Sequence, residues 1–202
     1  MLVLASASPR RKELLGLLVK EFLVLPADID ETPHEHEDAK EYVIRMAVEK
    51  ARASALMYSH QSQQDVNAIF IASDTSVVVD GKVLGKPSSL SESKSMLRLL
   101  SGRSHQVITS LCVCNLAFEH VATECVTSNV SFRSISDVEM DQYWKTNEPQ
   151  DKAGSYAIQG LGSVFVSSMS GSYSAVVGLP LYETAQLLAQ FGIHSLEEMS
   201  HE

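Results

Sequence analysis

Apolar and polar positions switch repeatedly along this chain between strand-like and helix-like blocks. Leu2 to Ala5 is a short continuous apolar run, which predicts a buried strand. Pro9 to Val19 reads as a helix, with Ser8 at its N-cap and Pro9 at the first position, where a missing N–H costs nothing. A second strand is predicted over Phe22 to Leu25, then a polar, acidic loop, PADIDETPHEHED, and a long helix from about Ala39 with Tyr42, Val43, Met46 and Ala47 on one face. Ala68 to Ala72 predicts a strand that ends at Ser73-Asp74-Thr75. Val77 to Leu84 reads as a hairpin about Asp80-Gly81, a favoured tight-turn pair.

A helix follows from about Ser91 to Leu100, stopped by Ser101-Gly102. Two long segments rich in Val, Ile and Thr, His105 to Leu116 and His120 to Arg133, predict an antiparallel pair. Ser136 and Glu139 are spaced as a capping box and open a helix to about Thr146. After a Gly-punctuated stretch come a strand from Val164 to Met169, the turn GSYSAVVGLP, and a helix from Leu181 to Phe191 closed by Gly192. The final ten residues read as a loosely held tail. Helices interleaved with parallel-type and antiparallel strands indicate an α/β fold with a mixed sheet.

No fixed-period repeat or splitting linker is visible. The 202 residues are expected to form a single domain over 1–202, or two small intertwined lobes. With 45% hydrophobic and 20% charged residues, the chain has enough apolar surface for a packed core. Its 16 basic against 25 acidic residues exclude a broad basic surface that would follow a nucleic-acid polymer. A small phosphorylated ligand needs only a few local charges and is not excluded. No apolar run approaches the roughly 18 residues of a membrane span, and the basic residues follow a very short apolar start, the reverse of a secretory signal. No membrane partner and a cytoplasmic location are expected. Cys112, Cys114 and Cys125 lack C-x-x-C spacing and are expected to be reduced packing residues.

The candidate chemistry begins with LASASPRRKELL, residues 4 to 15. A helix start carries unpaired N–H groups and about half a positive charge, so Ser6, Ser8, Arg10 and Arg11 there would make an anion site. On this stretch alone, two ordinary solvated arginines explain it equally well. The acidic loop offers Asp28, Asp30 and Glu31. Its D-I-D-E-T also fits the D-x-D-x-T motif of haloacid-dehalogenase phosphatases, with Asp28 as nucleophile. Against that stand Pro26-Ala27, which separate the triplet from its strand, and the lack of a well-placed downstream acidic pair.

Asp74 is delivered by the apolar run AIFIA, Lys86 follows within one hairpin, and Lys152 lies in DKAGSYAIQG, so carboxylates and cations are expected to converge. An aspartate of pKa about 3.9 is a poor base for water at about 15.7. A divalent hard cation held by Asp74 and Glu31 is therefore expected to acidify the water and bridge phosphate oxygens. The histidines lack H-E-x-x-H spacing and are read as surface or core residues.

Taken in order, LASASPRRKELL, ADIDE, ASDTSVVVDGKVLGKP, LSGRSHQVIT, DKAGSYAIQG and GSYSAVVGLPLYET resemble the Maf, or septum-formation inhibitor-like, family over nearly the whole chain. The resemblance implies a mixed α/β fold similar to inosine triphosphate pyrophosphatases, with two lobes around a deep cleft, in a homodimer. It also implies hydrolysis of nucleoside triphosphates to monophosphate and pyrophosphate with Mg, Mn or Co. Asp74 matches the family's catalytic acidic position, and Ser8, Arg11, Glu31 and Lys86 match phosphate- or metal-handling positions. Arg10, Thr75 and Gln159 match positions linked to base choice. The segment YAIQ around Gln159 is similar to the branch acting on dTTP and UTP rather than the one preferring 7-methyl-GTP. Ala157 and Ala175 depart from the glycine and asparagine of many relatives. The rival expectation is a nucleotide-sensing regulator of septum formation that binds without turnover.

Overall fold

The computed structural model describes residues 1–60 and 65–200. In chain order the elements are β1 (Leu2–Leu4), α1 (Pro9–Leu15), β2 (Leu23–Val24), α2 (Ala39–Ser59), β3 (Ile69–Val79), β4 (Lys82–Leu84), α3 (Leu90–Leu100), β5 (Ser104–Asn115), β6 (Val121–Phe132), α4 (Asp137–Trp144), β7 (Val166–Ser170), α5 (Tyr173–Val177), α6 (Leu181–Gln190) and α7 (Ser195–Ser200). Three short 3-10 turns, Glu148–Asp151, Ala153–Ser155 and Leu161–Phe165, fill the Gly-punctuated stretch. The strands form one mixed sheet in the order β2-β1-β3-β5-β6-β7, with β4 paired to β3. The expected mixed α/β architecture is present.

The chain divides into two compact units. The first comprises Met1–Asp74, Thr109–Val126 and Gly178–Glu202; the second comprises Thr75–Ile108 and Thr127–Val177. In the first unit β1 pairs in parallel with β2 (Val3 opposite Leu23) and with β3 (Val3 opposite Phe70). Parallel strands need helical crossovers, and α1 and α2 supply them. Successive strand side chains face opposite ways, so this unit has two apolar clusters. Val3, Ala5, Phe70 and Ala72 pack with Ala47, Ala51, Ala55 and Tyr58 of α2 and with Cys112 and Cys114. Leu2, Leu4 and Ile71 pack with Leu15, Val19, Leu187 and Leu188. The three cysteines are free thiols, as expected, with Cys112 and Cys114 buried.

In the second unit β3 turns into β4 through Asp80 and Gly81, both at positive φ (50° and 73°), the tight turn that the Asp-Gly pair predicts. Its core joins Val77, Leu97, Leu100, Phe132, Tyr143, Tyr156 and Phe165. The capping box at Ser136 and Glu139 opens α4. His105 is a core residue here, buried edge-on against Phe132 and hydrogen-bonded through Nε2 to Tyr156 Oη at 2.8 Å.

Several boundaries differ from the sequence pattern. The first helix ends at Leu15, not Val19, because the N–H groups of Leu17 and Leu18 bond back three residues to Leu14 and Leu15 and tighten the chain into turns at Gly16. β3 does not stop at Ser73-Asp74-Thr75 but runs through it to Val79. The segment expected as a plain turn before Gly178 contains α5, and the tail carries α7, which buries no residue.

Candidate active site

The helix α2 places the central cation. Its buried stripe consists of Val43, Met46, Ala47, Ala51, Ser54, Ala55 and Tyr58, and Lys50 falls inside that stripe by helical spacing. A lysine there must find an opposite charge, because an unpaired buried ammonium is strongly unfavourable. Lys50 Nζ lies 2.8 Å from Asp74 Oδ1 and 2.6 Å from Glu31 Oε1. The side chains of Lys50 and Asp74 are 14% and 12% exposed, that of Glu31 53%, so the cluster is closed beneath and open on the Glu31 side.

Further contacts hold the acidic loop against α2. The Asp38 carboxylate caps the helix by accepting from Lys40 and Glu41 N–H, both at 2.8 Å, and Glu41 returns a bond to the Asp38 N–H. Tyr42 Oη donates to the Glu31 carbonyl at 2.9 Å. Burial, reinforced by the charges of Asp74 and Glu31, pushes the Tyr42 phenol up to about 12. Arg45 bonds Glu37 through Nε at 2.6 Å and donates to the Thr32 carbonyl at 3.1 Å. The loop backbone around Glu31 is thereby pinned at two points.

The arginine pair sits at the start of α1, where Ser8 Oγ accepts from the Arg11 N–H. Arg11 Nε donates to the Gly178 carbonyl at 2.9 Å, and Ser73 Oγ donates to the same carbonyl at 2.8 Å, which ties the start of α1 to β3 beside Asp74. Gly178 takes φ 128°, a conformation that favours glycine. Burial draws the Arg11 guanidinium below its ordinary range; Asp74 and Glu31 oppose that pull and Arg10 adds to it. Ser8, Arg10, Arg11, Glu31 and Asp74 are thus gathered within the first unit. With only seven residues in α1, the backbone dipole is a small part of the positive field. Arg10 and Arg11 each carry a full positive charge against roughly half a charge for a helix start, and the helix is shorter than the expected Pro9 to Val19.

Thr75, Lys86, Lys152 and Gln159 belong to the second unit. Thr75 is half-buried, Lys86 and Gln159 are exposed, and Lys152 pairs with Asp151. In the acidic loop, Asp30 is engaged in a turn by accepting from the Thr32 N–H at 2.9 Å, and Asp28 is exposed. Among the described residues, no group of three or more His, Cys, Asp and Glu side chains is arranged to hold a metal. Glu31 and Asp74 nevertheless converge on a single cationic atom, and with Lys50 the trio sums to one formal negative charge. Two carboxylates suit a hard divalent ion of the magnesium type, whose other ligands are commonly phosphate oxygens and water.

Lys50 was not among the residues singled out from the sequence. Its signal was present as a charge inside the apolar stripe of a helix. No helix among the described residues is long and apolar enough to cross a membrane.

Residues 1–191 match the family described as Maf-like protein. The dTTP/UTP pyrophosphatase of Vibrio vulnificus is 50% identical over 190 residues, 94% of this chain and 98% of that one. The dTTP/UTP pyrophosphatase of Colwellia psychrerythraea is 48% identical over 191 residues, 95% of this chain and 88% of its own. Among solved structures, a nucleoside-triphosphatase / dITP/XTP pyrophosphatase from Mycobacterium abscessus covers 66% of this chain and 74% of its own, with 13% identity and a TM-score of 0.41.

Proposed function

The chain belongs to the Maf family, and on that premise we propose that it is a nucleoside triphosphate pyrophosphatase cleaving dTTP and UTP to the monophosphate and pyrophosphate. The observation that carries this reading is the convergence of Glu31 and Asp74 on Lys50, in the same electrostatic neighbourhood as Arg10 and Arg11. It is supported by relatives of that printed activity that align over nearly their whole length.

A triphosphate tail carries several negative charges, and Arg10, Arg11 and Lys86 bind its oxygens, the guanidinium groups by paired N–H bonds. Ser8 and Lys152 add donors. Lys50 holds the two carboxylates at a fixed separation. Glu31 and Asp74 would hold a divalent cation (Mg, Mn or Co), which would supply Lewis-acid neutralisation of the phosphate charge and acidify water. Asp74 orients the attacking water and takes its proton as the oxygen bonds to the α-phosphorus. The bond from that phosphorus to the α–β bridging oxygen breaks, and pyrophosphate leaves. Thr75 and Gln159 read the pyrimidine edge by hydrogen bonds, the kind of contact that rejects a mismatched base because it leaves buried polar groups unpaired. A homodimer and a cytoplasmic setting complete the reading.

A nucleotide panel tests it. dTTP and UTP are expected to give equimolar monophosphate and pyrophosphate once Mg, Mn or Co is added, ahead of 7-methyl-GTP and ATP in kcat/KM. Stepwise release of single phosphates favours instead the D-x-D-x-T reading of Asp28. Tight nucleotide binding without product favours a sensing role in septum formation.

A further inference from the structure

The second unit contains a half-buried acid whose carboxylate bonds to the turn that carries Gln159. Glu148 begins a 3-10 turn directly after α4. Its carboxylate accepts from the backbone N–H of Leu161 at 2.8 Å through Oε2, and from that of Gly162 at 2.9 Å through Oε1. Tyr143 Oη donates to the same Oε1 at 2.6 Å and accepts from the Ala157 N–H at 3.2 Å. The turn is closed by its own bond from the Gly160 N–H to the Ala157 carbonyl at 3.2 Å. Both of its glycines are demanded by the two side chains. A Cβ at Gly160 would run into the Glu148 carboxylate, and one at Gly162 would lie 2.6 Å from Tyr143 Oη. Tyr143 is buried and Glu148 half-buried, whereas Gln159 is exposed. One tyrosine and one carboxylate therefore fix the backbone on both sides of Gln159.

We infer that Tyr143 and Glu148 are positioning residues for base selection: they fix the backbone of residues 157–162 and with it the direction in which Gln159 offers its amide to a pyrimidine. The inference rests on the proposed reading of Gln159 as a base-contacting residue. It explains why a carboxylate is placed under a loop far in sequence from the metal-binding pair. Two N–H groups need two acceptor oxygens in one plane, and a glutamate supplies both while the tyrosine bridges to a third N–H. Hydrogen bonds to a charged acceptor are stronger than neutral ones, which suits a loop that must keep one shape as bases come and go. Cytosine differs from uracil by presenting a donor where uracil presents an acceptor, so a shift in the Gln159 amide weakens that discrimination first.

The test is the ratio of kcat/KM for UTP over CTP. Glu148→Gln keeps the side-chain shape but turns one acceptor oxygen into a donor facing an N–H. It is expected to lower the ratio about tenfold, mainly through KM for UTP, with kcat within about threefold of wild type. Tyr143→Phe is expected to move the ratio in the same direction by less, and it carries the test should Glu148→Gln not fold. Gln159→Ala sets the floor, and Glu148→Gln combined with Gln159→Ala is expected to fall no further, because the clamp acts through Gln159. An unchanged ratio in a folded clamp variant overturns the inference, as does a further additive loss in the double variant. A wild-type chain that leaves UTP intact overturns the proposed activity and this inference together.

Discussion

Lys50 shows how the centre of an ion cluster escapes a reading based on motifs. It stands in a stretch, RMAVEKARAS, that matches no motif, and its one signal is a charge at a position that helical spacing places on the apolar face. Its meaning comes from the two carboxylates that reach it, one from the acidic loop and one from β3. Asp74, Glu31, Ser8 and the arginines are candidates from the sequence because charged and hydroxyl groups stand out beside apolar runs or in a polar loop. The partnership that organises them was not, since Glu31 and Lys50 are brought together only by tertiary packing.

His105 is the opposite case, a titratable residue with a structural duty. Burial among Phe132 and Tyr156 holds its imidazole down to about 4. In the unfolded chain it titrates near its ordinary value of about 6.5, so between these limits the unfolded state binds a proton that the native state does not. The stabilisation is complete above about 6.5 and is lost as pH falls towards 4, up to about 3 kcal/mol. The melting temperature is therefore expected to fall between pH 7 and 4.5. In His105→Gln it is expected to fall less steeply, whatever that variant's stability at neutral pH. Identical slopes would remove His105 from the acid response.

The strands and helices were largely legible from apolar periodicity, and the failures share one cause. Ser73-Asp74-Thr75 looks like the end of a strand because serine and aspartate favour turns, yet β3 continues because neighbouring strands and packing on both faces override local preference. The same override fixes the Asp74 carboxylate on a strand rather than a loop. At the other extreme, the Gly-rich stretch gave no periodic signal, and its three 3-10 turns are set by contacts distant in sequence. Gly154 is the clearest instance, with φ 66°, its N–H bonded to the Gly85 carbonyl at 3.0 Å, and any added Cβ 2.8 Å from Val77 Cγ1. Gly154→Ala combines backbone strain with overpacking and is expected to cost about 2–3 kcal/mol in urea unfolding. A loss below about 0.5 kcal/mol would show that the turn relaxes freely.

The chain passes between its two units several times and no linker marks the divisions, so no local sequence feature locates them. The acidic balance of the whole chain directs attention to local charge, the arginines at the start of α1, rather than to a broad basic surface. Six ordered sequence blocks identified the family, and the match over residues 1–191 bears that out. What the blocks left open is whether the acidic pair performs chemistry or only binds. One measurement decides that most directly, the turnover number for pyrophosphate release from UTP by Asp74→Asn beside the wild type, with nucleotide affinity measured on both. The account predicts affinity within about threefold and turnover lower by about a thousandfold. Turnover within about tenfold of wild type, in a folded variant, would contradict it.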